Sequence, residues 1–286
     1  MKHLILVYSL HGSTLKTAEK IAQGIREGGS SVDIFKITSG ELPSLKPYDV
    51  ILFGMPVYYF AVPIVMEKFI ATLPRLHEKR VYAFFTYGTY HFQASDHLRR
   101  ILRKKDAEVE GWFYSRGADF YYHYNTRGIL PSAGHPDERE LSDATEFGRN
   151  IAKRTNLADY PMKSTPPKVM YRAEMLLTNK FMVTTIFQHL FHLDRKKCIR
   201  CGLCVKSCPT QNIERDANRY PMWDSKCTMC LKCEGCCPVE AITSVAGWKF
   251  LSPIVDANVK AILKDKNIDT QRIVYHHGKM QDNVKK

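Results

Sequence analysis

Two cysteine motifs of the same form lie between residues 198 and 238: Cys198-Ile-Arg-Cys201-Gly-Leu-Cys204-Val-Lys-Ser-Cys208-Pro209 and Cys227-Thr-Met-Cys230-Leu-Lys-Cys233-Glu-Gly-Cys236-Cys237-Pro238. Both read C-x2-C-x2-C-x3-C-P, and together they contain all nine cysteines of the 286-residue chain. Three thiolates separated by two residues each can bind one face of an iron–sulfur cube, whereas the cysteine before proline has turned away from that loop. The spacing predicts two such clusters and leaves Cys236 without a required role.

Structural zinc and disulfide bonds are the alternatives for the same cysteines. Zinc ribbons use pairs of C-x2-C, not a triple followed by a fourth cysteine and proline. Disulfide scaffolds are typical of short secreted chains. The only apolar start here is the run Leu4 to Tyr8, which fits a strand better than a signal peptide because His11 and Gly12 interrupt it. We therefore expect metal clusters in a reducing, low-oxygen cytoplasm.

The double motif resembles that of the bacterial two-cluster ferredoxins, in which the cysteine before proline ligates the cluster of the other motif. The resemblance implies two [4Fe–4S] clusters. One would be held by Cys198, Cys201, Cys204 and Cys237, and the other by Cys227, Cys230, Cys233 and Cys208. Ile213 and Ile242 follow the two prolines at matching positions and are expected to shield the clusters from water.

Composition and charge restrict the class of protein and its partners. The chain is 44% hydrophobic and 25% charged, as expected of a globular protein with room for two domains. Its formal net charge of +13 favours an acidic redox-protein partner, an anionic substrate or an anionic membrane surface. Nucleic acid is not expected, because no DNA-reading or aromatic RNA-binding motif accompanies the scattered basic residues.

Strand and helix patterns alternate along the first 160 residues. Apolar runs predict strands near residues 3–8, 32–37, 49–54, 80–86 and 108–114, with amphipathic helices after the first, third, fourth and fifth. This alternation predicts a doubly wound parallel sheet, whose ligands bind at the carboxyl ends of the strands. The loops 9–14, 55–60 and 86–92 are therefore expected to converge on one crevice.

The three loops carry different chemistry. Ser9-Leu10-His11-Gly12-Ser13-Thr14 places backbone amides and three hydroxyls at a helix N-terminus, which suits a phosphate. Taken alone, this loop also fits a plain helix cap made by Ser13 or Thr14. The other loops carry Tyr58, Tyr59, Tyr87 and Tyr90, and aromatic walls suit a flat heteroaromatic ring.

Ser9 to Thr14 resembles the phosphate loop of the flavodoxins, usually [S/T]-x-T-G-x-[S/T], with His11 where threonine is common. Gly54-Met55-Pro56-Val57-Tyr58 and Thr86-Tyr87-Gly88-Thr89 resemble the flavin-flanking loops of that superfamily. The resemblance implies a flavodoxin-like α/β fold with strand order 2-1-3-4-5 and FMN held non-covalently. The implied site comprises Ser9, His11, Gly12, Ser13 and Thr14 for the phosphate, and Met55, Pro56, Val57, Tyr58, Tyr59, Thr86, Tyr87, Gly88, Thr89 and Tyr90 for the ring.

Four segments are expected: a flavodoxin-like domain over 1–160, an apolar helical linker over 161–193, a small α+β two-cluster ferredoxin domain over 194–250, and a tail over 251–286 with a mobile polar end. The uncharged run from Phe181 to Leu193 has 13 residues, whereas a membrane span needs about 20. We expect a packed helix there, with docking on an anionic membrane surface as the alternative. The order of domains resembles the flavodoxin–ferredoxin fusion proteins of anaerobic bacteria and archaea.

These features predict an electron-transfer iron–sulfur flavoprotein that relays electrons between the clusters and FMN. The alternative is a flavin-dependent reductase of a quinone or nitro compound, with the ferredoxin part as its electron inlet. A carrier covers both ring faces, and Tyr58 and Tyr90 are the candidate covers. No residue is predicted to act as an acid–base catalyst, and a homodimer is left open.

Overall fold

The computed structural model describes residues 1–37, 43–155, 157, 181–249, 251–276 and 279–282, with backbone alone for residues 276 and 279–282. The described residues form two compact units. The first contains those of Met1–Ala118 and Gly134–Pro167, and the second those of Asp119–Ala133 and Lys168–Lys286.

The first unit is built on a five-stranded parallel sheet with the order β2-β1-β3-β4-β5, which confirms the predicted flavodoxin-like topology. Its strands are β1 (Lys2–Val7), β2 (Ser31–Lys36), β3 (Val50–Pro56), β4 (Arg80–Tyr87) and β5 (Val109–Arg116). The central strands are apolar along almost their whole length because helices cover both faces of the sheet. Strands β1 and β3 are parallel neighbours, so their carboxyl ends lie beside each other, and the strand order reverses between them.

Four helices cover this sheet: α1 (Ser13–Glu27), α2 (Ile64–Thr72), α3 (Ala94–Arg103) and α5 (Glu138–Lys153), whereas α4 (Tyr122–Asn125) belongs to the second unit. One core joins Ile21 of α1 and Phe147 of α5 to Ile5 of β1. The opposite core joins Met66 of α2 and Leu98 of α3 to the other face. Asp137 begins α5 with a capping box, in which its carboxylate accepts the Glu140 amide at 2.8 Å.

Helices α1 and α5 approach closely at two glycines. A Cβ atom on Gly148 would lie 2.0 Å from the backbone oxygen of Ile21, and one on Gly24 would lie 1.8 Å from that of Thr145. Because the obstacles are backbone atoms, no side-chain rotation could make room for a methyl group. The short distance between α1 and α5 therefore depends on both glycines, and with it the position of the start of α1 at the edge of the sheet.

We expect Gly148→Ala to lower the free energy of unfolding of the first unit by about 3 kcal/mol, since the two helices must separate to admit the methyl group. Urea unfolding followed by circular dichroism measures the change. Glu146→Ala, on the exposed side of α5, is the control and should stay within about 0.5 kcal/mol of wild type. Equal stability of Gly148→Ala and the control would contradict the packing described.

The second unit has an α+β fold with short strand pairs. β7 (His192–Leu193) pairs with β10 (Ile242–Thr243), and β8 (Ile213–Arg215) pairs with β9 (Pro221–Trp223). Its remaining helices are α6 (Leu203–Ser207), α7 (Lys232–Gly235) and α8 (Ser252–Lys264). The core between them consists of cysteines with Ile213, Ala241 and Ile242. Other buried apolar residues of the unit, among them Ile129, Ile262 and Ile273, lie outside the cysteine motifs.

The structure differs from the expected domain boundaries at residues 119–133, which pack within the second unit. Strand β6 (Ile129–Pro131) pairs antiparallel with β11 (Thr270–His276). The Arg127 guanidinium also lies 2.5 Å from the Asp256 carboxylate, at the start of α8. A three-residue strand has no readable period, and its partner is far along the chain, so the sequence pattern did not reveal this pairing.

The expectation of a mobile polar end to the tail is wrong for residues 270–276 and 279–282, which form strands. Helix α8 is followed by β11, which pairs with both β6 and β12 (Lys279–Asp282). The Tyr275 hydroxyl donates to the Gly235 carbonyl at 2.5 Å, so the strand is attached to the second cysteine motif. Backbone pairing and this contact order a segment whose composition is largely polar.

Much of the predicted helical linker, residues 161–180, lies outside the described residues. From Met182 the chain forms a π-helical turn to Ile186 and a 3₁₀ turn over Phe187–His189, before β7. Among the described residues no helix is long and apolar enough to cross a membrane.

Candidate cofactor sites

The loop before α1 is held by the Ser9 hydroxyl. Its Oγ atom accepts the backbone N–H groups of Gly12 and Leu15, both at 3.2 Å. Gly12 has a φ of 98°, a left-handed conformation that glycine adopts without steric cost, and it caps α1. The amides of Ser13 and Thr14 follow in the first turn, where N–H groups have no intrahelical acceptor. The loop thus presents backbone donors and the positive end of the helix dipole to an anion.

The sequence predicted that the three hydroxyls of this loop would face a phosphate, but in the structure two of them make contacts within the protein. The Thr14 Oγ1 atom is buried and lies 2.6 Å from Thr86 Oγ1, so it joins the loop to the end of β4. Ser9 is engaged with the loop amides, and only Ser13 of the three is left half-buried beside Gly117. His11 is exposed. Backbone amides, more than hydroxyls, therefore form the anion-binding surface.

The loop after β3 makes a tight turn. Tyr58 and Ala61 exchange two backbone hydrogen bonds of 3.1 and 2.9 Å. Between them Tyr59 and Phe60 have positive φ values of 50° and 62°, as in turns with both central residues left-handed. Met55 is buried at the end of the strand, and Pro56, Val57, Tyr58 and Tyr59 are half-buried. The turn fixes the two tyrosines at the sheet edge.

Aromatic side chains at the end of β4 and in the loop after it pack together with the Arg116 guanidinium at the end of β5. The Tyr87 ring lies 4.9 Å from the His91 ring, centroid to centroid, and 5.2 Å from the Arg116 guanidinium. Arg116 also donates to the Gly88 carbonyl at 3.1 Å. Burial lowers the pKa of His91 to about 4, so this ring is neutral at neutral pH. Gly88, Thr89 and Tyr90 are half-buried along the same loop.

The structure brings the three predicted loops together. The rings of Tyr8 and Tyr58 meet edge to face at 6.3 Å, and the Val57 amide donates to the Thr86 carbonyl at 2.9 Å. With the Thr14–Thr86 contact, these bonds connect the carboxyl ends of β1, β3 and β4. The combination of helix amides and tyrosines fits the phosphate and the ring of FMN.

A fourth loop, after β5, also reaches this edge and was missed in the sequence. The Gly117 amide donates to the Tyr87 carbonyl at 3.1 Å, and a Cβ atom on Gly117 would lie 3.0 Å from that of Ser13. Arg116 precedes it at the end of β5. The available signal was its place at the carboxyl end of the next strand in the sheet.

Two hollows in the second unit each contain four cysteines. The first is lined by Cys198, Cys201, Cys204 and Cys237, and the second by Cys208, Cys227, Cys230 and Cys233. Ile242 borders the first and Ile213 the second. All the cysteines are free thiols. Four cysteines around one hollow match the ligand set of a [4Fe–4S] cube.

The backbone repeats between the two motifs. Left-handed residues occur at matching positions, namely Arg200 and Met229, Gly202 and Leu231, and Gln211 and Glu240. After each proline a backbone amide turns back to the fourth cysteine: Asn212 to Cys208 and Ala241 to Cys237, both N–H to sulfur at 3.3 Å. Such hydrogen bonds stabilise added negative charge on a cluster, which raises its reduction potential.

Cys236 is the ninth cysteine, and among the described residues it lines neither hollow. Its sulfur lies 3.1 Å from the Ser207 hydroxyl and 3.5 Å from the Cys233 carbonyl oxygen.

Burial raises the pKa of the Cys204 thiol to about 11 and that of Cys227 to about 12. These thiols are neutral without metal, so cluster binding must release their protons.

Comparisons with known proteins agree with both sites. Residues 4–126 match the family model of the flavodoxin domain, and residues 191–214 match that of the 4Fe-4S binding domain. The chain is 33% identical over 78 residues to the pyruvate synthase subunit PorD of Methanocaldococcus jannaschii. The aligned region covers 27% of this chain and 88% of that protein. A solved flavodoxin from the domain Archaea is 22% identical, with a TM-score of 0.41, over 54% of this chain and 98% of its own.

A further relative is the archaeal-type glutamate synthase [NADPH] of Thermotoga sp. (strain RQ2), 44% identical over 52 residues. The match covers 18% of this chain and 10% of that enzyme, so the chain spans about a tenth of this relative's length.

A flavodoxin domain and a 4Fe–4S domain in one chain define an electron-transfer iron–sulfur flavoprotein with FMN and [4Fe–4S] clusters as cofactors. By domain content the chain joins a flavodoxin domain to a 4Fe–4S binding domain.

Proposed function

We propose that the protein relays electrons between the two clusters and FMN, and so couples one-electron carriers to two-electron carriers. FMN can exchange one or two electrons, whereas each [4Fe–4S] cluster exchanges one. The observation that carries the proposal is the presence, in one chain, of two four-cysteine hollows and a crevice with phosphate-binding and aromatic loops. A covalent fusion keeps the centres at high effective concentration, which favours transfer within the chain over diffusion.

The residues have distinct tasks in this proposal. The amides of Ser13 and Thr14 bind the FMN phosphate, and Tyr58, Tyr59, Tyr87 and Tyr90 flank its ring. In the second unit the two sets of four cysteines hold the clusters. Ile213 and Ile242, both buried, exclude water from the two hollows. Little reorganisation accompanies electron transfer when such surroundings are already fixed.

A redox protein is the proposed partner, in the cytoplasm. Two relatives are by name a subunit of pyruvate synthase and a glutamate synthase, which supports an oxidoreductase as source or acceptor of the electrons. The net charge of +13 supports an acidic one.

Removal of the clusters is expected to slow flavin reduction at least tenfold. Anaerobically purified protein should contain about eight iron atoms and one FMN. In the variant Cys201→Ser/Cys230→Ser, one cysteine of each hollow is lost, while the first unit keeps its FMN. Stopped-flow mixing with a reduced ferredoxin, followed at the flavin absorbance, measures the rate.

The retained FMN content controls for general misfolding of the variant. Equal rates of flavin reduction with and without clusters would contradict the relay. Saturable turnover of a quinone that Tyr58→Ala leaves unchanged would instead favour a reductase.

A further inference from the structure

The two cysteine hollows differ in the residues around them. Arg200, Arg215 and Arg219 line the first hollow together with its cysteines. The second is bordered by aromatic and uncharged polar residues, among them Phe191, Asn212, Trp223 and Thr228, and no charged residue is among those described there. Phe191 and Trp223 stack at 5.4 Å, which closes that side with apolar surface.

The charge of the sequence follows the same division. Residues 194–221 contain seven Lys and Arg against three Asp and Glu, whereas residues 222–249 contain three of each. All seven cations of the first stretch are exposed: Arg195, Lys196, Lys197, Arg200, Lys206, Arg215 and Arg219. A cube with four thiolates carries a charge of about −2, which leaves the first stretch positive.

Two of the three acids in the first stretch serve local contacts. The Asp194 carboxylate accepts the amides of Lys196 and Lys197 at 2.9 and 3.3 Å. Asp216 lies 3.8 Å from the Arg195 guanidinium. The acids keep their negative charge, so the field that an incoming negative charge would meet comes from the excess of seven cations over three acids in this stretch.

Several of these cations are held in place by the fold. The Arg200 guanidinium lies 4.6 Å from the Tyr220 ring and donates to its hydroxyl at 3.0 Å. Arg215 donates to the Cys201 carbonyl at 3.3 Å. Their positions next to the first hollow thus cost little additional side-chain entropy when a partner binds.

An apolar centre lies within this cationic rim. Ile199 is 61% exposed and Leu203 is 45% exposed, and both flank the exposed Cys201. Large aliphatic side chains at such exposure mark interaction surfaces when they lie together with organised charge. Apolar contacts within a charged rim are the usual anatomy of a protein–protein interface. We call Ile199, Arg200, Cys201, Leu203, Arg215 and Arg219 the Cys201 face.

We propose that the Cys201 face is the docking surface for an acidic electron-transfer protein, and that the cluster of the first hollow exchanges electrons with it. This inference rests on the proposed function and assigns its external contact to one of the two clusters. One electron leaves the reduced centre of the partner and reduces the oxidised cluster by one electron, with no bond formed or broken. Charge complementarity selects an acidic protein and steers it to this face.

Charge reversal on this face tests the proposal. In holoprotein carrying Arg200→Glu and Arg219→Glu, the affinity for a small ferredoxin of net negative charge should fall at least tenfold. Lys226→Glu with Lys260→Glu changes the net charge of the chain equally at exposed sites outside the face, and its Kd should stay within twofold of wild type. Isothermal titration at 50 and 200 mM salt measures both, and the first variant should lose most of the salt dependence.

Iron analysis separates failure of docking from failure of the proposed function. Wild-type protein without clusters would contradict the relay, whereas intact clusters with equal affinities in the two variants would overturn the docking surface. If Arg200→Glu disturbs the cluster, Arg215→Glu with Arg219→Glu gives the same charge change on the same face and the same expectation. Binding to phosphatidylglycerol vesicles without measurable binding to the acidic ferredoxin would also overturn it, since the occupant would then be a membrane.

Discussion

Cys237→Ser is expected to reduce the iron content from about eight to about four atoms per chain, whereas the neighbouring Cys236→Ser should leave it unchanged. Cys237 lines the first hollow with Cys198, Cys201 and Cys204, although it belongs to the second motif by sequence. Its loss leaves three sulfurs for four irons. Iron and sulfide analysis of anaerobically purified protein measures the change, and electron paramagnetic resonance of the reduced protein should show one cluster type in place of two.

Cys236 is a closely matched control because it differs from Cys237 by one position in the chain. Its sulfur contacts the Ser207 hydroxyl and the Cys233 carbonyl, and a serine hydroxyl could keep both contacts. The reverse outcome, iron lost from Cys236→Ser and kept in Cys237→Ser, would contradict the assignment of the first hollow. Retention of all the iron in both variants would show that either cysteine can complete the cluster.

Local patterns predicted the parts of this protein that depend on short stretches of sequence. The cysteine spacing brings each set of four sulfurs together because turns of two residues determine where each thiol lies. The apolar runs predicted the sheet, and the rule that ligands bind at the carboxyl ends of parallel strands predicted that the loops of β1, β3 and β4 meet.

Contacts between distant residues explain what the sequence did not reveal. The Thr14 hydroxyl is directed by Thr86, which lies 72 residues away, so its burial could not be read from the loop itself. Residues 119–133 pack in the second unit because β6 pairs with β11. Both outcomes depend on tertiary contacts that override local pattern.

The asymmetry of the two hollows gives the sequence repeat a functional meaning. Matching left-handed residues and matching N–H to sulfur bonds show that both halves hold their cysteines in the same way. The surroundings differ, because one hollow has a rim of arginines and the other an aromatic wall. Two cluster-binding sites with the same backbone but different surfaces would allow one cluster to exchange electrons with a docked partner protein while the other is shielded from it.

Ser13→Asp is expected to weaken FMN binding about 100-fold and to leave riboflavin binding within a few-fold of wild type. The new carboxylate would lie in the first turn of α1, where a negative charge favours the helix, so folding should be preserved. Repulsion between this carboxylate and a phosphate bound at the same helix end would cost about 3 kcal/mol at the effective dielectric of a protein surface. Ser13→Asn, similar in size but neutral, is the matched control and should bind FMN nearly as wild type. Fluorescence titration of the flavin-free protein with both ligands measures the difference, and equal weakening of FMN and riboflavin would place the phosphate elsewhere.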